Sequence, residues 1–289
     1  RFTMRNLELL FSLNPDGMSL IDVIDKTESP MGARMLRRWI SMPLKDKTKI
    51  ESRLDVVEFF TKNEKLKNQV LTHIKKIGDL ERLISKVATA RINPRELAQL
   101  LRSLKAVEEI KSSISASNFD QLIKMGDQLN QCESLIQKLK TSLEEEPPMS
   151  IGKGKVISEG VSAELDELRN IAFSGKDFLK KIQERESANT GIPSLKIGYN
   201  NVFGYYIEVT NVHKDKFFVE WHLKQTLTGS ERYITEELKE YEQKILGAEE
   251  KIQVLEQKLF YEIVIFASEF VKQIQIDASV VAALDCLLS

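Results

Sequence analysis

The sequence predicts a mainly α fold with a small β insert, in which a helical core bundle is followed by two long antiparallel helices with a β-sheet module at their tip. Three observations carry this expectation. Glycine (13) and proline (7) are scarce among 289 residues, so long helices meet few interruptions. Leu238, Tyr241, Ile245, Ala248, Ile252, Leu255 and Leu259 alternate spacings of three and four without a miss, the seam of a coiled coil. Between that helix and an earlier one the apolar period changes to two, the period of a half-buried strand.

The elements follow in order. Residues 1–45 mix short apolar runs with the turn signals Asn14-Pro15-Asp16-Gly17, Ser29-Pro30-Met31-Gly32 and Met42-Pro43. Met31 to Ile40 reads as a short helix carrying Arg34, Arg37 and Arg38. From about residue 46 to 146 the pattern is helical, with Leu54, Val57 and Phe60 as one apolar face and Leu97, Leu100, Leu101 and Leu104 as another. Asn93-Pro94-Arg95-Glu96 has an N-cap, a proline at the first helical position and a glutamate three residues after the cap. Glu144-Glu145-Glu146-Pro147-Pro148 with Gly152, Gly154 and Gly160 is the clearest internal boundary. Helix resumes with Leu165, Leu168, Ala172, Leu179 and Ile182. A helix of about 30 residues reaches roughly 45 Å.

In the β insert, Leu195, Ile197 and Tyr199 make one strand and Phe203 to Val209 a second, joined by a turn at Asn200-Asn201, because Asn tolerates left-handed backbone angles. A third strand is expected from Thr226 to Tyr233, after which Thr235 caps the next helix. Four tyrosines, Tyr199, Tyr205, Tyr206 and Tyr233, fill a module too small to build a large core otherwise. The expected organisation is a helical core over 1–160, long helices over 161–189 and 235–289, and the β-rich insert over 190–234.

Charge and chemistry narrow the function. Lys plus Arg (42) nearly cancels Asp plus Glu (43), so any nucleic-acid binding has to be local. Within 190–235 five basic residues (Lys196, Lys214, Lys216, Lys224, Arg232) face four acidic ones (Glu208, Asp215, Glu220, Glu231), a weak electrostatic footprint. The insert does hold small donors, Asn200, Asn201, Gln225, Thr226, Thr228 and Ser230, of the kind that fix a protein on phosphates without reading sequence. On composition alone, a hairpin that merely stabilises a helical tip is the favoured reading.

Gly152-Lys153, Gly154-Lys155 and Gly175-Lys176 are followed by Gly, Val and Asp, so none completes a phosphate-binding loop. His73, His213 and His222 lack ligand spacing, and the carboxylates on helical faces read as solvated partners of Lys and Arg. Cys132 and Cys286, both in helical context, suggest neither a disulfide framework nor a metal site, and fit a reducing, cytosolic setting. No run approaches a membrane span. The chain opens without Met and stops in an apolar stretch, so both ends are expected to be cuts through a larger protein.

Several blocks resemble the MutS family, in that family's order and over nearly the whole chain. Arg5-Asn6-Leu7-Glu8-Leu9, Thr27, Pro30-Met31-Gly32-Ala33-Arg34, Trp39-Ile40 and Pro43-Leu44 resemble the start of its core. Gly78-Asp79-Leu80-Glu81-Arg82 with Pro94-Arg95-Glu96-Leu97 resembles the middle, and Glu146-Pro147-Pro148 with Glu164-Leu165-Asp166-Glu167-Leu168 the junction to a lever helix. Leu195 to Ile207, Lys224-Gln225-Thr226-Leu227 and Glu231-Arg232-Tyr233-Ile234 resemble its clamp domain. Thr228-Gly229 departs from the pattern, being neutral where many family members carry a basic residue or Asn.

The resemblance implies a core, lever helices and a clamp that grips duplex DNA by its backbone, with Lys196, Asn200, Asn201, Lys224, Gln225, Thr226, Thr228 and Ser230 as contact candidates and the four tyrosines as packing. It also implies a homodimeric, cytoplasmic and nucleoid-associated bacterial parent that acts on duplex and mismatched DNA and works with MutL. ATP and Mg would bind an ATPase domain beyond Ser289, leaving this chain without a cofactor, metal or catalytic residue of its own. The look-alikes Phe218-Val219-Glu220 and Phe260-Tyr261-Glu262 of the family's mismatch-probing motif are read as coincidence. Two alternatives stay open: a coiled-coil scaffold, and a MutS paralogue acting on recombination intermediates.

Overall fold

A computed structural model describes residues 2–200, 202–213 and 220–289. Among them lie α1 (Phe2–Asn6), α2 (Leu20–Ile24), α3 (Pro30–Ser41), α4 (Lys47–Lys62), α5 (Glu64–Ile74), α6 (Leu80–Ala88), α7 (Pro94–Ser115), α8 (Asp120–Gln128) and α9 (Glu133–Ser142). Then come α10 (Ala163–Thr190), strands β1 (Lys196–Asn200), β2 (Gly204–Thr210), β3 (His222–Thr226) and β4 (Ser230–Ile234), and helices α11 (Glu236–Ser268) and α12 (Val271–Leu288). The expected mainly α fold with a small β insert is what the chain adopts. Asn201 and the segment 214–219, which holds Lys214, Asp215, Lys216, Phe218 and Val219, lie outside the described residues.

The chain divides into two compact units, Arg1–Ser158 with Leu259–Ser289, and Glu159–Lys258. In the first, helix starts are set by local chemistry. Ser29 caps α3 by accepting from the Gly32 N–H at 3.0 Å, with Pro30 at the first helical position. Asn93 and Glu96 form the reciprocal capping box of α7, at 2.9 and 3.1 Å. α12 threads the core, burying Ile274, Ala278, Val281, Leu284 and Leu288 and packing on α3 and α6. α7 buries Leu97, Leu100 and Leu104 as expected, whereas α4 buries Val56 and Phe60 and leaves Leu54 and Val57 exposed. Both sets recur at helical spacing, and sequence spacing alone did not say which stripe faces the neighbouring helices.

In this first unit two carboxylates depart from the expected solvated faces. Asp285, 0% exposed, accepts from the N–H groups of Glu28 and Ser29 at 2.9 and 2.8 Å and from the Ser29 hydroxyl at 2.6 Å. It thus bonds the backbone leading into α3, where a negative charge also meets the positive end of the helix dipole. Gly32 is required there, because a Cβ would lie 2.2 Å from the Asp285 carboxylate oxygen. Asp277, also 0% exposed, accepts from the Asn130 backbone and side-chain amides at 2.8 and 2.9 Å. Burial pushes the pKa of both carboxyls upward.

Cys132 is not mid-helix, as its context suggested, but sits before α9 with a left-handed φ of 47°. Cys286 does lie in α12. Burial pushes both thiols up to about 12, so neither is a ready nucleophile.

In the second unit, α10 and α11 run antiparallel and are matched rung by rung. Arg169 meets Glu256 at 2.6 Å, Lys176 meets Glu249 at 2.5 Å, and Arg185 meets Glu237 at 2.6 Å. Between rungs, Phe178 stacks on Tyr241 with centroids 3.9 Å apart, and Gly175 lets Ile245 approach. Leu238, Ile245 and Ala248 of the predicted seam are buried, as are Leu165, Ala172, Leu179 and Ile182 opposite. The innermost rung is a buried ion pair, since Glu256 is only 2% exposed.

Candidate nucleic-acid interface

The sheet has the order β1-β2-β4-β3 and is antiparallel throughout. The predicted third strand is instead the hairpin β3–β4. Its alternation continues through Leu227-Thr228-Gly229, but the chain reverses there, with the Leu227 N–H donating to the Ser230 carbonyl at 2.8 Å. Asn211, overlooked in the sequence, ties this turn down by donating from its backbone to the Gly229 carbonyl at 3.1 Å and from its side chain to the Thr228 carbonyl at 3.0 Å.

Register assigns the faces, because cross-strand partners share a face and neighbours along a strand alternate. Ile207, Val209 and Tyr233 join Leu179 and Ile182 of α10 and Leu238 and Ile245 of α11 in one apolar cluster, with Trp221 beside them. On the opposite face lies a polar row across all four strands, Lys196, Glu208, Arg232 and Gln225. Arg232 organises that row. Its Nε donates to Glu208 and its Nη1 to the Gln225 amide oxygen, both at 2.9 Å, and its guanidinium lies 4.5 Å from the Tyr206 ring centroid. Tyr206 lies across Gly198, where a Cβ would be 2.7 Å from the ring.

The candidate residues separate within this frame. Lys196 and Thr226 are exposed at one end of the sheet, beside the β3–β4 turn that carries exposed Thr228. Gln225 shares the row of Lys196, but its carbonyl is already taken by Arg232. Ser230 is close to these in sequence yet 8% exposed. Lys224 is exposed at a bulge in β3 and, with His222, helps hold the Glu236 carboxyl below its ordinary range, mainly an effect of Lys239. Asn200 ends β1 at the opposite end of the sheet and accepts from the Val202 N–H at 2.8 Å, leaving its amide N–H groups for a ligand. Among the described residues of that turn the positive φ falls on Gly204, at 81°, and not on Asn200. Asn201 lies outside the described residues.

Tyr206 and Tyr233 are buried and Tyr205 packs against the core cluster, whereas Tyr199 is largely exposed, its ring tilted against Tyr205 at 5.0 Å. Arg232 and Asn211 were missed as organisers. The period-two signal carried Arg232, whose neighbour Tyr233 lies on the apolar face and so places Arg232 on the polar one, whereas Asn211 had no local signature. Among the described residues no group of His, Cys, Asp and Glu is arranged to hold a metal ion, and no helix is long and apolar enough to cross a membrane.

Taken together, the fold and site define a class: a helical protein whose ion-paired helix arm carries a small antiparallel sheet with one polar face. The family model described as MutS domain III matches residues 2–289. The chain is 56% identical over its whole length to the DNA mismatch repair protein MutS of Phocaeicola vulgatus, covering 33% of that protein, and 56% identical to that of Bacteroides fragilis, covering 34%. With the MutS of Cytophaga hutchinsonii the identity is 52%. The chain belongs to the MutS domain III family. It spans about a third of the length of these curated relatives.

Proposed function

We propose that this chain is part of a DNA mismatch repair protein and grips duplex DNA by its backbone through the polar side and ends of the β-sheet, its clamp. In this reading residues 1–160 are the core, 161–189 and 235–289 supply the levers, and 190–234 is the clamp. Lys196, Asn200, Asn201, Lys224, Gln225, Thr226, Thr228 and Ser230 supply the candidate contacts. The observation that carries the reading is the polar row opposite the sheet's apolar face. The row itself offers the Lys196 cation and the Gln225 amide N–H groups, with the exposed Thr226 and Thr228 hydroxyls at the same end of the sheet, a donor set that positions a protein on phosphates without specifying bases. The paired helices α10 and α11 are the stiff element that would link this grip to an ATPase elsewhere in a longer parent, where ATP and Mg would bind. Homodimerisation, cooperation with MutL and a place in the bacterial cytoplasm at the nucleoid belong to that parent. The chain itself performs no catalysis.

Titration against matched and mismatched duplexes at low and higher salt tests the reading. Equal, salt-sensitive affinity for both is expected, because backbone contacts release counterions irrespective of sequence. Substituting Lys196→Gln, Asn200→Ala and Lys224→Gln together should weaken binding and reduce the salt slope by roughly 2, about 0.9 per lost cationic contact. Unchanged binding in the triple variant would favour a scaffold role. That second reading draws on the exposed Phe173 of α10 and Val254 of α11, apolar groups available to a protein partner.

A further inference from the structure

The first unit contains a cleft of about 600 Å³ between α3, α4, α8 and α12 that the duplex grip does not use. Its floor is apolar, with Val56, Met125 and Leu287. Arg53 of α4 lies flat on the Trp39 indole, 3.4 Å from the ring centroid. This stack fixes the guanidinium while leaving its N–H edge uncommitted: among the described residues Arg53 makes no hydrogen bond or ion pair. Lys124, exposed on α8, also lacks a carboxylate partner among them.

Of the cleft's own acids, Glu51 pairs with Lys47 outside the lining at 3.6 Å and Asp55 accepts from the Gln121 amide across the cleft at 3.2 Å, so neither is paired with Arg53 or Lys124. Burial pulls Arg53 below the ordinary guanidinium range, and the anionic form of Cys286 is the one charge that opposes this. That thiol, pushed up to about 12, is neutral at physiological pH. A partly buried cation without a counterion is costly, and the cost is recovered when an anion enters.

We infer that this cleft is a receptor for an acidic peptide segment, which sets a carboxylate on Arg53 and Lys124 and an apolar side chain on the Val56–Met125–Leu287 floor. A carboxylate suits the cleft better than a phosphate does. The guanidinium fork fits either anion, but a doubly charged phosphate calls for further donors, and the start of α4 is already occupied by Asp46, which accepts from the Lys49 N–H at 3.3 Å. The inference is independent of the DNA reading.

Calorimetric titration of the chain with an end-blocked hexapeptide of alternating Glu and Leu tests it, with the Gln/Leu peptide and inorganic phosphate as the other arms. Binding of the acidic peptide alone is expected, weakened about tenfold or more by Arg53→Gln and less by Arg53→Lys, which keeps the charge but loses the fork. Lys124→Gln, at an exposed position, supplies a variant whose folding is not at issue and should also weaken binding. The proposal is overturned by no binding at millimolar acidic peptide, by equal binding of the Gln/Leu peptide, or by affinity unchanged in both Arg53→Gln and Lys124→Gln. Phosphate that binds as well as the peptide would reassign the cleft to phosphorylated ligands and overturn the carboxylate assignment.

Discussion

Asp277 shows how one residue fixes a loop. Its Oδ1 accepts both Asn130 amide donors, while its Oδ2 and the Gln273 Oε1 one turn earlier on α12 are buried without a partner among the described residues. Burial pushes the Asp277 pKa upward, against the two Asn130 hydrogen bonds first and Lys111 of α7 after them, and a proton on this carboxyl would supply a donor on a helical face that otherwise carries two orphaned acceptors. With the folded pKa above the unfolded value near 4, this group's contribution to stability is complete at low pH and declines as pH rises through the folded pKa. Asp277→Asn replaces the titrating carboxyl with an amide and has no such dependence. Denaturation midpoints from pH 4 to 8 should therefore show Asp277→Asn gaining on the parent as pH rises, whereas Asp277→Ala loses about 1–3 kcal/mol by stranding Asn130. A difference between Asn variant and parent that does not change with pH would mean that the carboxyl is ionised in the fold throughout. None of this was legible in the sequence, because Asn130 and Asp277 meet only through the packing of α12. The capping box at Asn93 and Glu96 was legible because all its partners lie within four residues.

At the scale of elements, the pairing of α10 with α11 rests on rungs of unequal depth. The exposed Lys176–Glu249 pair is worth at most about 1 kcal/mol in water, so Lys176→Gln should shift stability little. Arg169 is 13% exposed and its partner Glu256 only 2%, and removing one side of a buried pair typically costs 3–5 kcal/mol. Arg169→Met should therefore destabilise the unit by about 3 kcal/mol, and adding Glu256→Leu should recover much of the loss, as chemical denaturation would measure. Recovery is the informative arm, since it separates stranded charge from lost packing. The heptad seam was readable because it is a period, but the ion pair inside it was not, because Arg169 and Glu256 carry the same letters as the solvated pairs around them. The β3–β4 hairpin escaped for a related reason. Its turn carries Thr228-Gly229 rather than the Asn-Gly that marks a tight reversal, and the alternation of Thr226, Thr228, Ser230 and Arg232 continues through it.

For the whole molecule, the two compact units have separate cores, one around α7 and α12 and the other around the sheet with α10 and α11. The limit at Ser158 falls in the Pro- and Gly-rich stretch visible in the sequence, whereas the limit at Lys258 falls inside α11, where no glycine or proline marks it. A unit of about 100 residues that buries its own apolar cluster is large enough to unfold as a cooperative step. Scanning calorimetry of the chain should thus resolve two transitions. Asp277→Ala should lower only the transition of the unit containing α12, and Arg169→Met only that of the unit containing the sheet. A shift of about 4–8 °C per kcal/mol is the scale for the smaller unit, so the Arg169→Met displacement is well above measurement error. A single transition, moved by either substitution alike, would mean that the unbroken α11 makes the two cores fold as one. In that case a disturbance at the sheet would be felt in the core without any further coupling device.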